Sequence, residues 1–418
     1  MSTTVQRNSK PGKTEVNELA AFGGPRAFSE ALHVGRPNIG NRERFEERVG
    51  EILDNRWLTN NGPYVKRFEQ RIADFVGVKH CVAMCNATIA LEIAIRASGM
   101  LGEVIVPSFT FIATANALEW QGITPVFCDI DPATYNLNPD LVEELITPRT
   151  TGILPVHVFG RACDIARLSE IARRRDLKLL FDSAHAFGCS YKGQMIGRFG
   201  NAEVFSFHAT KFLNSLEGGA IVTNDDELAK RIRLMKNFGF TNYDQTDYLG
   251  TNGKMNEVSA AMGLTNLESL TDFVATNRRN YRQYLSELAG LNGVSVLTYD
   301  ETESCNYQYI VLTVDENKTV VKRDQMVDLL HAENVLVRRY FYPGCHEMQP
   351  YCSRYEGARK NLLETERLAK SVICLPTGTA VDQQHITTVC ETIRLIVNNG
   401  SSISERLASL SKNPRPPA

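Results

Sequence analysis

Between residues 80 and 225 the chain alternates short apolar runs with longer amphipathic stretches. The short runs include EVIVP (103–107), GILPVHVF (152–159), LKLLFD (177–182), EVFSF (203–207) and GGAIVTN (218–224). Continuous apolar runs bounded by polar or glycine positions predict strands buried on both faces. Between them lie TIALEIAIRASG (88–99), ATANALEWQG (113–122) and DIARLSEIARRRD (164–176). Their apolar residues recur at three- and four-residue spacing, which predicts helices. Strands alternating with helices predict an α/β architecture around a mostly parallel sheet. In such sheets ligands collect at the carboxyl ends of the strands.

From about 255 to 290 the pattern is helical, and then it changes character. YQYIVLTV (307–314), RDQMVDLLHAENV (323–335) and LVRRYFYP (336–343) predict a smaller α/β domain. The boundaries expected are an N-terminal arm over 1–24, a large domain over 25–270, a small C-terminal domain over 271–400 and a tail over 401–418. Both ends are polar, with Gly and Pro breaks, and read as frayed or arm-like.

Composition narrows the function classes. The 418 residues are 43% hydrophobic and 22% charged, with a formal net charge of -2. Nothing in that balance points to nucleic acid or an anionic membrane as a partner. No apolar run approaches the roughly 20 residues of a membrane span, and the start, MSTTVQRNSKPGKTEVNE, lacks the apolar centre of a secretory signal. The 10 cysteines contain no CxxC pair. They read as reduced thiols of a cytoplasmic protein, with neither a disulfide framework nor a metal site. Cys81 and Cys85 read as packing residues.

Three places carry chemistry. Asp182 ends the run LKLLFD. It reads either as a turn or cap aspartate or as a carboxylate aimed into a site, with His185 one turn along. Lys211 follows Ser206, His208 and Thr210 and precedes Phe212 and Leu213. A solvated surface lysine is the ordinary reading. In an apolar setting, however, the amine has a lowered pKa and becomes nucleophilic toward carbonyls. In CNATIALEIAIRA (85–97), Asn86-Ala87-Thr88 opens a helix. That is an ordinary cap, and also a place where free N–H groups bind phosphate. A phosphate cradle, a carboxylate and an isolated amine on successive loops of one sheet together suit pyridoxal 5'-phosphate. Its phosphate needs donors, its ring nitrogen an anion and its aldehyde a lysine. No GxxxxGK[ST] or GxGxxG is present to suggest a nucleoside triphosphate or dinucleotide.

The ordered motifs NATIALE, VPSFTFIATANA, DIDPATYNL, LPVHVFGRACD, FDSAHAFG, SFHATKFLNSLEGGAIVTND and GTNGKMNEVSAAMGL run along most of the chain. With them, from WLTNNGPYVKRFE (57–69) to CLPTG (374–378), the sequence resembles the DegT/DnrJ/EryC1/StrS family of fold-type-I aminotransferases. The resemblance implies a pyridoxal-phosphate transaminase of deoxyamino-sugar biosynthesis, in antibiotic or polysaccharide pathways. It would take its amino group from an amino acid, glutamate above all, and place it on a nucleotide-linked keto sugar. The nearest subgroup aminates C4 of dTDP-4-keto-6-deoxyglucose.

By the same resemblance, Lys211 is the lysine that bonds the cofactor and Asp182 faces the pyridine nitrogen. His185 lies by the ring on its O3′ side, and Phe111 stacks on it. Ser206, Ala87 and Thr88 hold the phosphate. Asn252 reaches the phosphate from the neighbouring subunit of a homodimer. Two departures stand out: Ala87 where the family often has Gly, and Lys254 where it often has Arg. Lys254 cannot make a bidentate fork. Some relatives are dehydratases with His at the lysine position, so Lys211 favours transamination. Amination at another sugar carbon such as C3, or of a cyclitol ketone (an inosose), remains an alternative, as does a cofactor-binding regulator. Arg338, Arg339 and Lys254 are candidates for the diphosphate. Tyr340, Phe341 and Tyr342 are either pocket lining or core of the small domain.

Overall fold

The structure is a computed structural model and describes residues 12–357 and 361–412. Two helices, α1 (Arg42–Asn55) and α2 (Pro63–Val76), lead into the first strand. The main sheet is then built in sequence. It comprises β1 (His80–Met84), helix α3 (Ala87–Ala97), β2 (Glu103–Pro107), α4 (Ile112–Glu119) and β3 (Thr124–Cys128). These are followed by β4 (Thr150–Ile153), α5 (Ile165–Arg174), β5 (Lys178–Asp182), β6 (Ala202–Ser206) and β7 (Gly219–Thr223). The seven strands lie in the order β1-β7-β6-β5-β4-β2-β3. Only β7 runs antiparallel to its neighbours. This is the mostly parallel sheet expected from the alternating pattern.

Successive strand side chains point to opposite faces, so each strand serves two cores. Val82, Val104, Val106, Leu180, Val204 and Ile221 pack with α3 and α4. Cys81, Ala83, Ile105, Phe181, Phe205 and Val222 pack on the other face, with α2, α5 and helix α7 (Glu257–Glu268). Helix α6 (Asp226–Met235) joins the first face through Leu228 and Ile232. With both faces covered, the strands read as unbroken apolar runs. TPVFC (124–128) escaped that reading because of Pro125, which sits on the edge strand β3, where a missing N–H is tolerated.

Helix α8 (Leu270–Glu287) leads to a second, antiparallel sheet of β8 (Val294–Val296), β9 (Ile310–Val314) and β10 (Val372–Leu375). It packs with α9 (Arg323–Ala332) and α10 (Gln383–Asn398) around a separate apolar core. Of the run LVRRYFYP (336–343) only Leu336 lies in a strand, the short Val335–Leu336, paired with Leu32–His33. Beyond it the chain loops past the site described below.

The described parts of both ends are more ordered than their composition suggests. Val16 and Leu19 are buried in the second core. The buried carboxylate of Glu333 accepts from Lys13 Nζ and from the backbone N–H of Ala20 and Ala27. That ties the N-terminal segment down. Gly400–Lys412 form helix α11, anchored by buried Ile403. Residues 1–11 and 413–418 lie outside the described residues. No described helix is long and apolar enough to cross a membrane.

Candidate active site

The carboxyl end of β5 places Asp182, and alternation along the strand decides its direction. Leu180 faces α3 and α4, Phe181 faces away, and Asp182 therefore faces the two helices again. Its side chain is buried. Thr114, in the first turn of α4, donates its hydroxyl to Asp182 Oδ2 at 2.9 Å, and the Ala184 N–H donates to Oδ1 at 3.1 Å. Burial pushes this carboxyl above the usual range. Those two hydrogen bonds and the charges of Lys211 and His157 oppose the rise.

Lys211 sits in the loop between β6 and β7, where its N–H closes a turn on the carbonyl of His208. The loop brings its amine close enough to Asp182 for the two charges to interact. Desolvation pushes the amine down to about 8, against the pull of Asp182. A lysine so placed is a nucleophile or base near neutral pH. Nζ donates to the hydroxyl of Tyr309 at 3.5 Å.

His185 is buried, and its ring stacks flat on Phe341, with centroids 5.5 Å apart and an interplanar angle of 5°. The Phe159 N–H donates to His185 Nδ1 at 3.3 Å, so Nδ1 is the acceptor and Nε2 carries the proton. Burial first, then the charge of Lys211, drives this imidazole well below its ordinary pKa. It is a neutral donor.

The start of α3 is held open by its cap. Asn86 Oδ1 takes the N–H of Ile89 at 2.9 Å, which leaves the N–H groups of Ala87 and Thr88 at the helix end. Gly219, at the start of β7, is packed against this turn. A Cβ there would stand 2.7 Å from Ala87 N. In register, Gly219 opposes Met84 at the end of β1 on one side and Ser206 at the end of β6 on the other. Ser206 lies on the same sheet face as Val204, the face of α3. The helix start, Ser206 and Asp182 thus share one face, at the ends of β1, β6 and β5. An N–H cradle at a helix start, a hydroxyl beside it and a carboxylate with a buried amine form a donor set that fits pyridoxal 5'-phosphate.

Phe111 is the residue before the first turn of α4, three positions from Thr114. It is 55% exposed, whereas Phe109 and Thr110 beside it are buried. It lines a cavity of about 320 Å³ together with Arg338, Arg339, Tyr340, Phe341 and Tyr342. Arg339 is partly committed there, pairing with Asp324 at 2.9 Å and lying over the Tyr342 ring. Arg338 lies over the Tyr340 ring, 5.4 Å from its centroid. Phe341 lines the cavity, one of its two expected uses; it is buried not in the second core but in a cluster with Phe109 and Phe159, and it stacks on His185.

Asn252 is not drawn into this cluster. It is exposed, on a segment that pairs with Asn237 and meets the end of β1 through Lys254. Lys254 donates to Asn237 Oδ1 at 3.1 Å and lies over the Phe238 ring.

Reading the sequence missed Thr114 and Tyr309. Thr114 stands inside the motif that carries Phe111, three residues on, and helical spacing could have flagged it. Tyr309 stands just before β9 of the second sheet, and nothing near it in sequence points to Lys211.

A family model for the DegT/DnrJ/EryC1/StrS aminotransferase family matches residues 40–394. The chain belongs to that family. It is 36% identical over 369 residues to a dTDP-4-amino-4,6-dideoxy-D-glucose transaminase of Shigella dysenteriae, covering 88% of this chain and all (100%) of the relative. It is 37% identical over 325 residues to a GDP-perosamine synthase of Caulobacter vibrioides, covering 77% and 86% of the two chains. Among solved structures it superposes on DesI, determined in the presence of its TDP-sugar product, with a TM-score of 0.89 and 47% identity. That match covers 94% of this chain and 99% of DesI. This member of the family is therefore an aminotransferase with the fold of those enzymes.

Proposed function

We propose that this aminotransferase uses pyridoxal 5'-phosphate to move an amino group from an amino acid, glutamate, to C4 of dTDP-4-keto-6-deoxyglucose. One observation carries the reading. A desolvated amine, a buried carboxylate and an open helix start converge on one face of one sheet. The substrate follows from the name of the Shigella dysenteriae relative, and the TDP-sugar product of DesI supports its nucleotide.

When bound, the cofactor supplies a carbonyl that takes up the amino group and a ring that withdraws electrons. Every other role belongs to the chain. The N–H groups of Ala87 and Thr88 and the hydroxyl of Ser206 hold the phosphate. Phe111 covers one face of the ring. Asp182 faces the ring nitrogen, and Thr114 and Ala184 keep its charge in place against burial. His185, neutral, offers Nε2–H on the O3′ side. Lys211, once released as a free amine, takes the proton from the donor's Cα. In the second half-reaction it moves a proton back to the sugar carbon. A base works best with a pKa near the operating pH, and desolvation has brought this amine there. The cavity beside Phe111 receives the sugar nucleotide, with Arg338 facing its diphosphate.

The second half of the site comes from a homodimer in this reading, with Asn252 of one subunit reaching the phosphate of the other. Phe238, Phe240, Tyr243, Tyr248 and Leu249 are exposed around the same segment. Exposed apolar residues grouped along one segment favour an interaction surface there.

The test is incubation with glutamate and a panel of keto sugar nucleotides carrying dTDP or GDP, plus inosose, with product mass and regiochemistry read. Amination of the dTDP-linked sugar at C4 is expected. Turnover of inosose alone would refute the substrate assignment. Lys211→Ala should still bind cofactor but lose the bonded chromophore, with turnover down by at least about four orders of magnitude. Wild-type activity in that variant would refute the assignment of the amine.

A further inference from the structure

We propose that Tyr309 acts directly on the reacting amine. Its hydroxyl accepts an N–H of Lys211 Nζ whenever that nitrogen is free, and so limits where the nitrogen lone pair points. The proposal rests on the reading of Lys211 as the reacting amine.

The geometry favours Tyr309 over Asp182 as the group that orients Nζ. Asp182 takes the Thr114 hydroxyl on one oxygen and the Ala184 N–H on the other. It therefore acts on Lys211 as a nearby charge. The hydrogen bond from Nζ runs to Tyr309, at 3.5 Å. A Coulombic attraction has little directional demand, whereas a hydrogen bond at a known atom sets an orientation. An amine that donates one N–H to a fixed oxygen leaves its lone pair only two positions, which narrows the search of a base that must collect a proton from one carbon.

The phenol itself is held from several sides. Tyr309 is only 6% exposed, and a buried tyrosine hydroxyl needs a polar partner. Its ring stands edge-on to His185 at 4.9 Å and packs against Phe159 at 5.3 Å and Tyr340 at 6.2 Å. Its carbonyl accepts the hydroxyl of Tyr299 at 2.7 Å, and the same hydroxyl reaches the Phe159 carbonyl at 3.2 Å. Three residues earlier, Asn306 Nδ2 donates to the carbonyls of His185 at 2.8 Å and Phe187 at 3.0 Å. The second sheet thus delivers Tyr309, and the loop after β5 locks it. Preorganisation of this kind is what an orienting group needs.

The phenol transfers no proton. Burial first, then the neighbouring Tyr340, Cys374 and Asp182, holds its pKa well above the ordinary value. It stays protonated and acts as a hydrogen-bond acceptor toward the amine. The titratable groups that act on Lys211 are then Asp182, His185 and Tyr309, and His157 acts in turn on Asp182 and His185.

The experiment has two readouts on Tyr309→Phe, which keeps the ring and its packing. The first uses cofactor-free protein. Lys211 is labelled with acetic anhydride across a pH series, and its peptide is quantified by mass spectrometry. An accepted hydrogen bond favours the ammonium form, so losing it should lower the labelling midpoint by about half a unit to one unit. The second uses the holoenzyme with deuterated and ordinary glutamate. Loss of the Cα proton should slow about tenfold with a larger isotope effect, while the KM for glutamate stays within about twofold. Tyr309→Leu repeats both measurements without relying on the Phe side chain.

An unchanged midpoint overturns the proposal, and so does a shifted midpoint with an unchanged isotope effect. Either result leaves the aminotransferase reading intact, because wild-type protein still turns over. Failure of that reading shows separately, as wild-type protein with no glutamate half-reaction.

Discussion

At the residue scale the site is a set of groups held in costly states. Asp182 is a carboxylate in a buried place, so its folded pKa lies above its unfolded one. The folded chain binds the proton more tightly, so this group's contribution to stability is greatest at low pH. It is lost as pH rises through the folded pKa. Near neutral pH the cofactor-free protein therefore bears the cost of a buried charge. Asp182→Asn should melt higher than wild type at pH 8 without cofactor, with the gap closing toward pH 4. Catalysis should move the other way, with kcat down about a hundred- to ten-thousand-fold. Melting curves at both pH values and a glutamate half-reaction check the pair. A variant no more stable than wild type at pH 8 would mean that Thr114, Ala184 and Lys211 already offset the burial. These costs were partly visible in the sequence. Asp182 at the end of an apolar run and Lys211 beside Phe212-Leu213 showed where charges would be buried. The direction of each side chain was not visible, because the pleat sets it only once the register is known.

At the element scale, the cradle depends on how closely a strand approaches a helix. Gly219 has no room for a side chain: an added Cβ would lie 2.7 Å from both Ala87 N and Asn86 C. Both are backbone atoms that cannot swing aside. Gly219→Ala should therefore push β7 from the start of α3 and turn the N–H groups of Ala87 and Thr88. Cofactor affinity should fall at least about tenfold, and stability by about 1–3 kcal/mol, the range for overpacking. Absorbance titration with pyridoxal 5'-phosphate and a thermal melt would measure both. Unchanged affinity would show that the cradle is not where the phosphate sits. The glycine pair 218–219 was legible as a turn before a strand, but its function in close packing was not. That depends on β7 pairing antiparallel with β1, from whose end α3 starts. Long buried runs such as LKLLFD and amphipathic stretches such as DIARLSEIARRRD announced their elements because burial on two faces, or on one, leaves a clear pattern. LVRRYFYP misled for the opposite reason. Its apolar residues line a cavity and stack on His185, uses with no fixed period.

At the scale of the whole molecule the reading turns on whether one chain completes its own site. Within a chain, Lys211, Asp182, His185, Ser206 and the start of α3 converge, while Asn252 stands exposed on a segment with exposed aromatic neighbours. If Asn252 serves the partner's phosphate, damage at positions 211 and 252 falls on different sites of a mixed dimer. Lys211→Ala and Asn252→Ala would each be impaired alone. In a mixed dimer, one site would carry both lesions and the other neither. Random exchange of subunits makes about half of the dimers mixed, each with one intact site of two. The mixture should then recover about a quarter of wild-type activity. The measurement is activity after the two variants are co-refolded, or unfolded and refolded together, against each refolded alone. If Asn252 served its own chain, the intact lysine would always sit beside the damaged asparagine, and mixing would restore nothing. Recovery would thus place both the dimer and the origin of Asn252, neither of which composition or periodicity could reveal, since no pattern in one chain marks a residue that works in another.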